Sequence, residues 1–328
     1  MAKYAMIAAG VVLAALIVLF LAGPRERTDG PLAFSPDDIG ADVDAYLYTR
    51  ERDVPNILRG AQKHVRWADP ANRVPTPLSI VYIHGFSASL HEIRPVPDDV
   101  AAALGANLFY TRLKGHGRDG AAMAEATALD WREDIAEAFE IGRRIGERVI
   151  VVGTSTGGSL AALGLFDDRI NDRIAGIVLM SPNFGVQADG SWLTALPYAR
   201  WLIPALVGRE RRFQPENADH ARWWTERYPT EAVVPMARVA AAARGLRFED
   251  TDIPALFIFS DADKIVRTDV TRDIAGRWGG PVSVWPVATG TRDDRNSHVL
   301  AGDILSPGLN EAVTERFLEW VTERRLQQ

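Results

Sequence analysis

The chain of 328 residues contains no cysteine. Disulfide bonds, thiolate metal sites and cysteine nucleophiles are therefore excluded, although this absence does not fix the cellular compartment. The chain also lacks an excess of positive charge, since it has 37 lysines and arginines against 43 aspartates and glutamates. No basic tract indicates nucleic-acid binding. Internal repeats and low-complexity linkers are also absent. Because 47% of the residues are hydrophobic, the chain can bury a large core.

One long uncharged stretch lies at the N-terminus. Residues 4–24 carry no charge and residues 7–22 are almost wholly apolar, with Lys3 before them and Arg25 after them. As a helix, this stretch is long enough to cross ~30 Å of hydrocarbon. It exceeds the usual apolar region of a secretory signal and has no clean A-x-A site, so we favour an uncleaved membrane anchor. The alternative is a cleaved signal peptide and a secreted or periplasmic protein. The flanking charges nearly balance and leave the orientation open.

The clearest chemical signal is the stretch RVIVVGTSTGGSLAA, residues 148–162. Four apolar residues, 149–152, predict a short buried strand, and the residues from Gly158 onward predict a helix. The intervening GTSTG matches the G-x-S-x-G pattern, with Ser155 at its centre. A strand that turns directly into a helix strains the residue at the apex, and the flanking glycines leave room for neighbouring backbone. Ser155 is therefore the predicted nucleophile, in preference to an incidental serine in a glycine-rich turn.

Strands and helices alternate along most of the remaining chain. The predicted strands cover residues 62–67, 78–83, 107–113, 174–180, 255–260 and 282–286, and the main predicted helices cover 42–52, 97–104 and 130–145. This alternation is typical of an α/β protein with a mostly parallel sheet flanked by helices.

The alternation breaks between residues 183 and 251. This segment contains Trp192, Trp201, Leu193 and Leu196 among many other apolar residues. We interpret it as a helical cap inserted over the site, which could shield the reaction from water and line an acyl pocket. For any single aromatic residue, packing of the cap onto the main domain is an equal alternative.

These boundaries give a predicted domain organisation. An anchor or signal segment (1–24) and a linker (25–41) precede the main domain. The main domain comprises residues 42–182 and 252–328, and the cap insertion comprises 183–251. The sequence gives no indication of the oligomeric state.

Several motifs occur in a defined order along the chain. HGFSAS begins at His84, RLKGHGRDG at Arg112 and SDADKIV at Ser260, and an SH pair ends at His298. Together with the serine motif, this order resembles the α/β-hydrolase fold and, within it, bacterial carboxylesterases and monoacylglycerol lipases. The resemblance extends from about Val65 to the C-terminus. It implies a serine hydrolase that cleaves carboxylic esters of short to medium acyl chains through an acyl-enzyme, with a small-molecule ester or lipid as substrate and no cofactor or metal.

The resemblance also implies the partners of the serine, in the chain order serine, acid, histidine. Of the six histidines, only His220 and His298 follow Ser155. His220 lies in a charged stretch of the predicted cap, where a solvated helix face is expected, whereas His298 lies where the resemblance puts the base. The family pattern maps the acid onto Asp263, and the competing Asp261 would brace the loop.

An oxyanion hole requires two backbone donors. Thr156 N–H, directly after the nucleophile, is the first candidate, and the resemblance assigns the second to Phe86. His84 and His116 are interpreted as structural. A thioesterase or a peptidase acting on small peptides would use the same groups, and a catalytically silent scaffold on this fold is the alternative from another class.

Overall fold

The computed structural model describes residues 2–327 and has a seven-stranded sheet at its centre. The strands of these residues, in chain order, are β1 (His64–Arg66), β2 (Thr76–Ile83), β3 (Asn107–Tyr110), β4 (Gly146–Thr154), β5 (Ile174–Met180), β6 (Glu210–Arg212), β7 (Arg227–Pro229), β8 (Ala255–Phe259) and β9 (Val282–Pro286), and β6 and β7 lie outside the central sheet. The central sheet has the order β1-β3-β2-β4-β5-β8-β9. β1 runs antiparallel to β3, and the other neighbouring pairs are parallel. The predicted mostly parallel sheet is confirmed.

Helices cover both faces of this sheet. In chain order the helices of the described residues are α1 (Ala2–Leu21), α2 (Val43–Arg52), α3 (Val96–Leu104), α4 (Ala128–Ile145), α5 (Thr156–Leu165), α6 (Ala199–Val207), α7 (Ala218–Trp223), α8 (Val233–Arg244), α9 (Thr268–Gly276) and α10 (Asn310–Glu323), and α1 packs against neither face of the sheet. α3 packs with α10, and α5 packs with α4 and α8. Local signals set several ends: Thr127 and Asp130 form a capping box before α4, and Gly105, at a φ of 61°, closes α3.

The apolar run in β4 reflects the burial of both faces of the sheet. Val149 and Val151 belong to one hydrophobic core, with Trp131, whereas Ile150 and Val152 belong to the other. A strand that is apolar on both sides is expected at the centre of a parallel sheet. β4 is therefore held between β2 and β5, and its carboxyl end is a rigid support for the residue that follows.

β3 is shorter than the sequence predicted, ending at Tyr110 instead of residue 113. The next residues are held by side chains. Arg112 donates to both carboxylate oxygens of Glu51, at 2.8 and 2.7 Å, and Leu113 N–H donates to His84 Nε2 at 3.1 Å. These bonds turn the chain away from the strand direction.

The segment between β5 and β8 contains the cap. Helices α6, α7 and α8 are present as the sequence suggested, but β6 and β7 also form a two-stranded antiparallel ribbon, with Arg212 opposite Arg227. All three residues of β6 are exposed, so the strand has no apolar alternation from which it could be predicted.

Residues 25–41, predicted as an exposed linker, instead lie against the main domain. The Arg132 guanidinium donates to the Thr28 carbonyl at 2.9 Å. Ile39 is buried, and Phe34 packs against the same hydrophobic core. The few apolar residues of this segment thus pack against the main domain. The polar composition of the segment gave no indication of this contact.

α1 precedes this segment and differs from every other helix in its surroundings. It has 20 residues, and none of them is buried in the protein. By length and composition it is able to cross a membrane, as are some signal sequences.

Candidate active site

Ser155 lies at the sharp junction between β4 and α5, with φ of 52° and ψ of −118°. A non-glycine residue in such a conformation stores about 1–3 kcal/mol of strain that the surroundings must hold. Two backbone hydrogen bonds do so: Ser155 N–H donates to the Met180 carbonyl, and the Ser155 carbonyl accepts from Asn183 N–H, each at 2.9 Å. The serine is thereby fixed at the carboxyl edge of the sheet, where sites of open α/β sheets lie.

The two glycines of the serine motif are required by close backbone contacts. A Cβ atom at Gly157 would lie 2.1 Å from the Ile83 carbonyl oxygen, and one at Gly153 would lie 2.6 Å from the Gly157 carbonyl oxygen. Ile83 ends β2 and Gly157 lies in the first turn of α5, so neither carbonyl can move without disturbing the strand or the helix. The spacing of these glycines around Ser155 therefore has a steric cause, as the sequence suggested.

Asp263 and His298 meet near this edge although 35 residues separate them. His298 Nδ1 lies 2.7 Å from Asp263 Oδ2, and both residues are buried. The other carboxylate oxygen, Oδ1, accepts from the N–H groups of Ile265 and Val266, at 2.7 and 2.9 Å. The Asp263 carboxylate is thus held by hydrogen bonds within its own loop and contacts the imidazole at Nδ1. The other ring nitrogen, Nε2, remains available for proton exchange.

The backbone of His298 is held by a second aspartate, which the sequence did not single out. Asp294 Oδ2 accepts from the N–H groups of His298 and Val299, both at 2.9 Å. Burial disfavours the charged imidazolium, but the hydrogen bond and charge of Asp263, aided by Asp294, outweigh it and raise the pKa of His298 above its ordinary value. The imidazole is therefore suited to accept and hold a proton.

Phe86 and Thr156 lie in two different elements near the serine. Thr156 directly follows Ser155 and is the first residue of α5, whereas Phe86 is in the loop after β2. Within residues 2–327, neither of their N–H groups donates a hydrogen bond to the protein. A helix N-terminus also carries a partial positive charge. Both groups are accordingly free to bind an anionic oxygen.

Residues 80–302 match the model of the alpha/beta hydrolase family. The chain belongs to that family. This α/β hydrolase is also 28% identical over 202 residues to the thermostable monoacylglycerol lipase of Bacillus sp. (strain H-257), an alignment that covers 61% of the chain and 76% of the relative.

Solved structures share the fold of this α/β hydrolase at low sequence identity. A structure reported for the metagenome-derived lipolytic enzymes LipS and LipT superposes with a TM-score of 0.66 at 22% identity, over 82% of this chain and 100% of that chain. A soluble variant of monoglyceride lipase from Saccharomyces cerevisiae gives 0.60 at 11% identity, over 80% and 91%. These likenesses support the assignment of the fold.

Glu92 is a residue of this α/β hydrolase that sequence reasoning missed. Its Oε2 accepts from Gly85 N–H and from the Tyr82 hydroxyl, each at 2.7 Å, and the side chain is buried. A Cβ atom at Gly85 would lie 2.6 Å from Glu92 Oε1 and 3.2 Å from Ser155 Cβ, so the carboxyl lies beside the serine. Glu92 thus holds the loop that presents Phe86. Its place in the sequence, among residues that form no regular element, gave no signal for this role.

Burial raises the pKa of Glu92 to about 7 from its ordinary value of 4.5, although its hydrogen bonds oppose the rise. A carboxyl whose pKa is raised on folding stabilises the protein most below the unfolded pKa, and this stability is lost as pH rises toward the folded pKa. At 1.36 kcal/mol per unit, the loss is roughly 3 kcal/mol. We expect the Tm of the wild type, relative to Glu92→Gln, to fall by several degrees between pH ~5 and pH ~8.

Thermal unfolding followed by tryptophan fluorescence measures the Tm of each protein. The difference in Tm between the wild type and Glu92→Gln removes the contribution of the other titrating groups, which the two proteins share. The exposed Glu315→Gln variant is the matched control, because its carboxyl lies on the outer face of α10 and should not change the pH dependence. A constant Tm difference between the wild type and Glu92→Gln across this pH range would contradict the raised pKa.

The cap contacts both loops of the site. Thr225 N–H donates to the Ser87 carbonyl at 2.7 Å, and the rings of Phe86 and Tyr228 meet edge to face with centroids 5.3 Å apart. On the other side, Asn183 Nδ2 lies 3.5 Å from the Thr156 hydroxyl oxygen and 3.1 Å from Met236 Sδ. Cap side chains therefore lie beside the Phe86 loop and, through Asn183, beside the start of α5.

Other residues weighed from the sequence lie elsewhere. Asp261 is exposed and pairs with Arg272 at 2.7 Å, away from His298. His220 is buried between the rings of Phe213 and Trp224, whereas the sequence suggested a solvated face.

The tryptophans considered for an acyl pocket, Trp192 and Trp201, are 69% and 63% exposed on the surface of the cap. Trp192 also lines a cavity with Phe184, Arg238 and Arg244, and the role of the two tryptophans in an acyl pocket stays a prediction. An apolar residue in a sequence is expected to avoid water, but its identity does not show which surface of the protein, if any, covers it.

Proposed function

We propose that this α/β hydrolase cleaves carboxylic esters through an acyl-enzyme formed on Ser155. The observation that carries the proposal is the 2.7 Å contact between His298 Nδ1 and a buried Asp263, near a serine held in a strained turn. A serine hydroxyl is a poor nucleophile at neutral pH unless a base takes its proton and a third group orients that base. The similarity to a monoacylglycerol lipase supports an ester as the substrate.

The proposed reaction has two halves. In the first, Ser155 Oγ attacks the ester carbonyl while His298 Nε2 accepts the hydroxyl proton, and the N–H groups of Phe86 and Thr156 bind the developing oxyanion. The tetrahedral intermediate collapses, and His298 returns the proton to the leaving alcohol. In the second half, water attacks the acyl-enzyme with the same proton transfers and releases the acid. Asp263 keeps the imidazole in the required tautomer throughout.

The apolar side chains near the two candidate donors favour an ester with a short to medium acyl chain. Phe86 and Tyr228 pack together at the loop after β2, and Met236 contacts Asn183 beside Thr156. Each buried CH₂ contributes ~0.8 kcal/mol, so a few methylenes raise binding about a hundredfold in a matching pocket.

We expect kcat/KM for p-nitrophenyl esters to rise from acetyl toward hexanoyl or octanoyl. The measurement is a panel of graded acyl chains, with a matching acyl thioester and an aminopeptidase substrate in parallel. A steady fall from acetate upward would overturn the apolar pocket. Faster turnover of the thioester or the peptide would overturn the assignment as an esterase.

We also propose that α1 anchors the protein in a membrane. Twenty helical residues extend about 30 Å, which matches the hydrocarbon core of a bilayer. None of them is buried against the protein, so lipid is the environment that removes their apolar surface from water. The competing proposal is a signal sequence that is cleaved after export.

A further inference from the structure

We propose that the cap has a membrane-docking surface that inserts into the bilayer beside α1, an inference that rests on the proposed anchor. The surface is formed by Trp192, Tyr198, Trp201, Leu206 and Val207, with exposed fractions of 69, 37, 63, 67 and 53%. Outside α1, nine large hydrophobic residues of the described chain are exposed, and these five fall within 16 consecutive residues. Scattered apolar residues need no explanation on a protein surface, but a cluster marks an interaction site.

The docking surface is continuous with the end of α1. The Tyr198 ring lies 6.1 Å from the Phe20 ring, in the last turn of α1, and 5.9 Å from the Trp201 ring, between centroids. Tyr198 N–H donates to the Pro24 carbonyl at 2.8 Å. The ring covers Gly23 so closely that a Cβ atom there would lie 2.1 Å from it. Apolar surface therefore runs without interruption from the membrane helix onto the cap.

This position fixes the depth of the docking surface. A helix of this length has its ends at the two membrane–water boundaries, and α1 ends at Leu21. Tyr198 and Trp201 lie beside that end, where tyrosine and tryptophan are enriched in membrane proteins because their rings combine an apolar body with a polar group.

A partly buried ion pair keeps the cap at this place. Glu26, five residues after α1, accepts from Arg200 Nε of α6 at 2.8 Å and from Ala128 N–H of α4 at 2.7 Å. Its side chain is only 5% exposed. The chain that leaves the membrane is thus bound at once to both the cap and the main domain. The docking surface cannot move far from the lipid while α1 stays inserted.

The charge around the docking surface matches an anionic bilayer. Arg209, Arg211 and Arg212 follow α6, are exposed and form no ion pair within residues 2–327. Arg238 and Arg244, likewise without a carboxylate partner there, line a cavity that Trp192 also lines. The segment 183–251 contains nine arginines and eight carboxylates, in a chain whose net charge is −6. Basic groups near a membrane surface are attracted by anionic headgroups. The occupant is therefore a bilayer that contains anionic phospholipid.

The absence of cysteine allows a direct test on the full chain. Single cysteines replace Leu206 in the docking surface, Leu13 within α1 and Tyr48 on α2, which is 69% exposed and serves as the matched aqueous control. Each variant carries a nitroxide label in liposomes of phosphatidylcholine and phosphatidylglycerol. The measured quantity is the ratio of label accessibility to oxygen, which partitions into lipid, over a water-soluble nickel complex. Circular dichroism verifies that each variant is folded.

We expect the labels at Leu13 and Leu206 to give ratios several-fold above that at Tyr48. A ratio at Leu206 equal to that at Tyr48, with Leu13 in lipid, would overturn the docking surface and leave the anchor intact. Aqueous ratios at both Leu13 and Leu206 would overturn the anchor and the docking surface together, while ester turnover in the same samples still reports on catalysis. Omitting phosphatidylglycerol should lower the ratio at Leu206, and an unchanged ratio would overturn the role of the arginines.

Discussion

Replacing Ser155 or His298 by alanine is expected to lower kcat/KM for ester hydrolysis by ~10³-fold or more while leaving the protein folded. Ser155→Ala removes the atom that forms the acyl bond, and His298→Ala removes the group that takes its proton. The double variant should be little worse than either single one, because the two side chains act as a unit. Steady-state kinetics measure the loss of turnover, and labelling by a fluorophosphonate measures the loss of serine reactivity.

The exposed His64→Ala variant is the matched control for His298→Ala, because His64 lies on the edge strand β1, bonded to Gln62. It should keep wild-type turnover and labelling. Full activity of Ser155→Ala, or fluorophosphonate attached to another residue, would refute the serine mechanism. Absence of labelling in the folded wild type would instead favour a catalytically silent scaffold.

Asp263→Asn is expected to cost ~10³–10⁴-fold in kcat, since an amide neither stabilises the imidazolium nor enforces the required tautomer. The contact to His298 Nδ1 and the raised pKa of that imidazole both come from the Asp263 carboxylate. Loss of the carboxylate should therefore lower the pKa of His298. The acid limb of the pH profile for the residual activity should move to lower pH, because the base stays neutral in more acidic solution.

Asp261→Asn is the matched control for this prediction. Asp261 lies two residues away, is exposed and pairs with Arg272 on the surface. Such pairs contribute about 0–1 kcal/mol to stability, so turnover should stay within a few-fold of the wild type. If the two variants exchanged these phenotypes, the acid would be Asp261 and the remaining assignments would stand.

The sequence predicted best the features whose cause is local. The strand before Ser155 is apolar because both faces of β4 are covered, and its glycines are set by contacts with residues that adjoin it. The α/β fold with its mostly parallel sheet followed from the regular alternation of strands and helices along the chain, which did not predict the order of the strands within the sheet. The meeting of Asp263 with His298 was expected from the motif order of a known family, since no local rule joins residues 35 positions apart.

Features that depend on distant partners were missed. Glu92 and Asp294 act through backbone N–H groups brought to them by the fold, and any loop carboxylate looks alike in sequence. Trp201 was expected in the interior of the cap and instead lies on its surface. The hydrophobicity of a residue does not by itself determine which surface it packs against. The segment 25–41 looked like a linker because few of its residues are apolar, yet those few are bound to the main domain.

The contacts of Gly23 and Glu26 have a consequence for the order of biosynthetic events. If α1 were a cleaved signal, the cut would fall near its end, and proteolysis favours exposed backbone. In the folded protein this junction is covered by Tyr198, and Glu26 is bound to Arg200 and to the start of α4. If α1 is a cleaved signal, the cut must therefore come on the nascent chain, before the cap and α4 assemble around the junction. If α1 is the proposed anchor, the folded domain itself protects the junction from later cleavage.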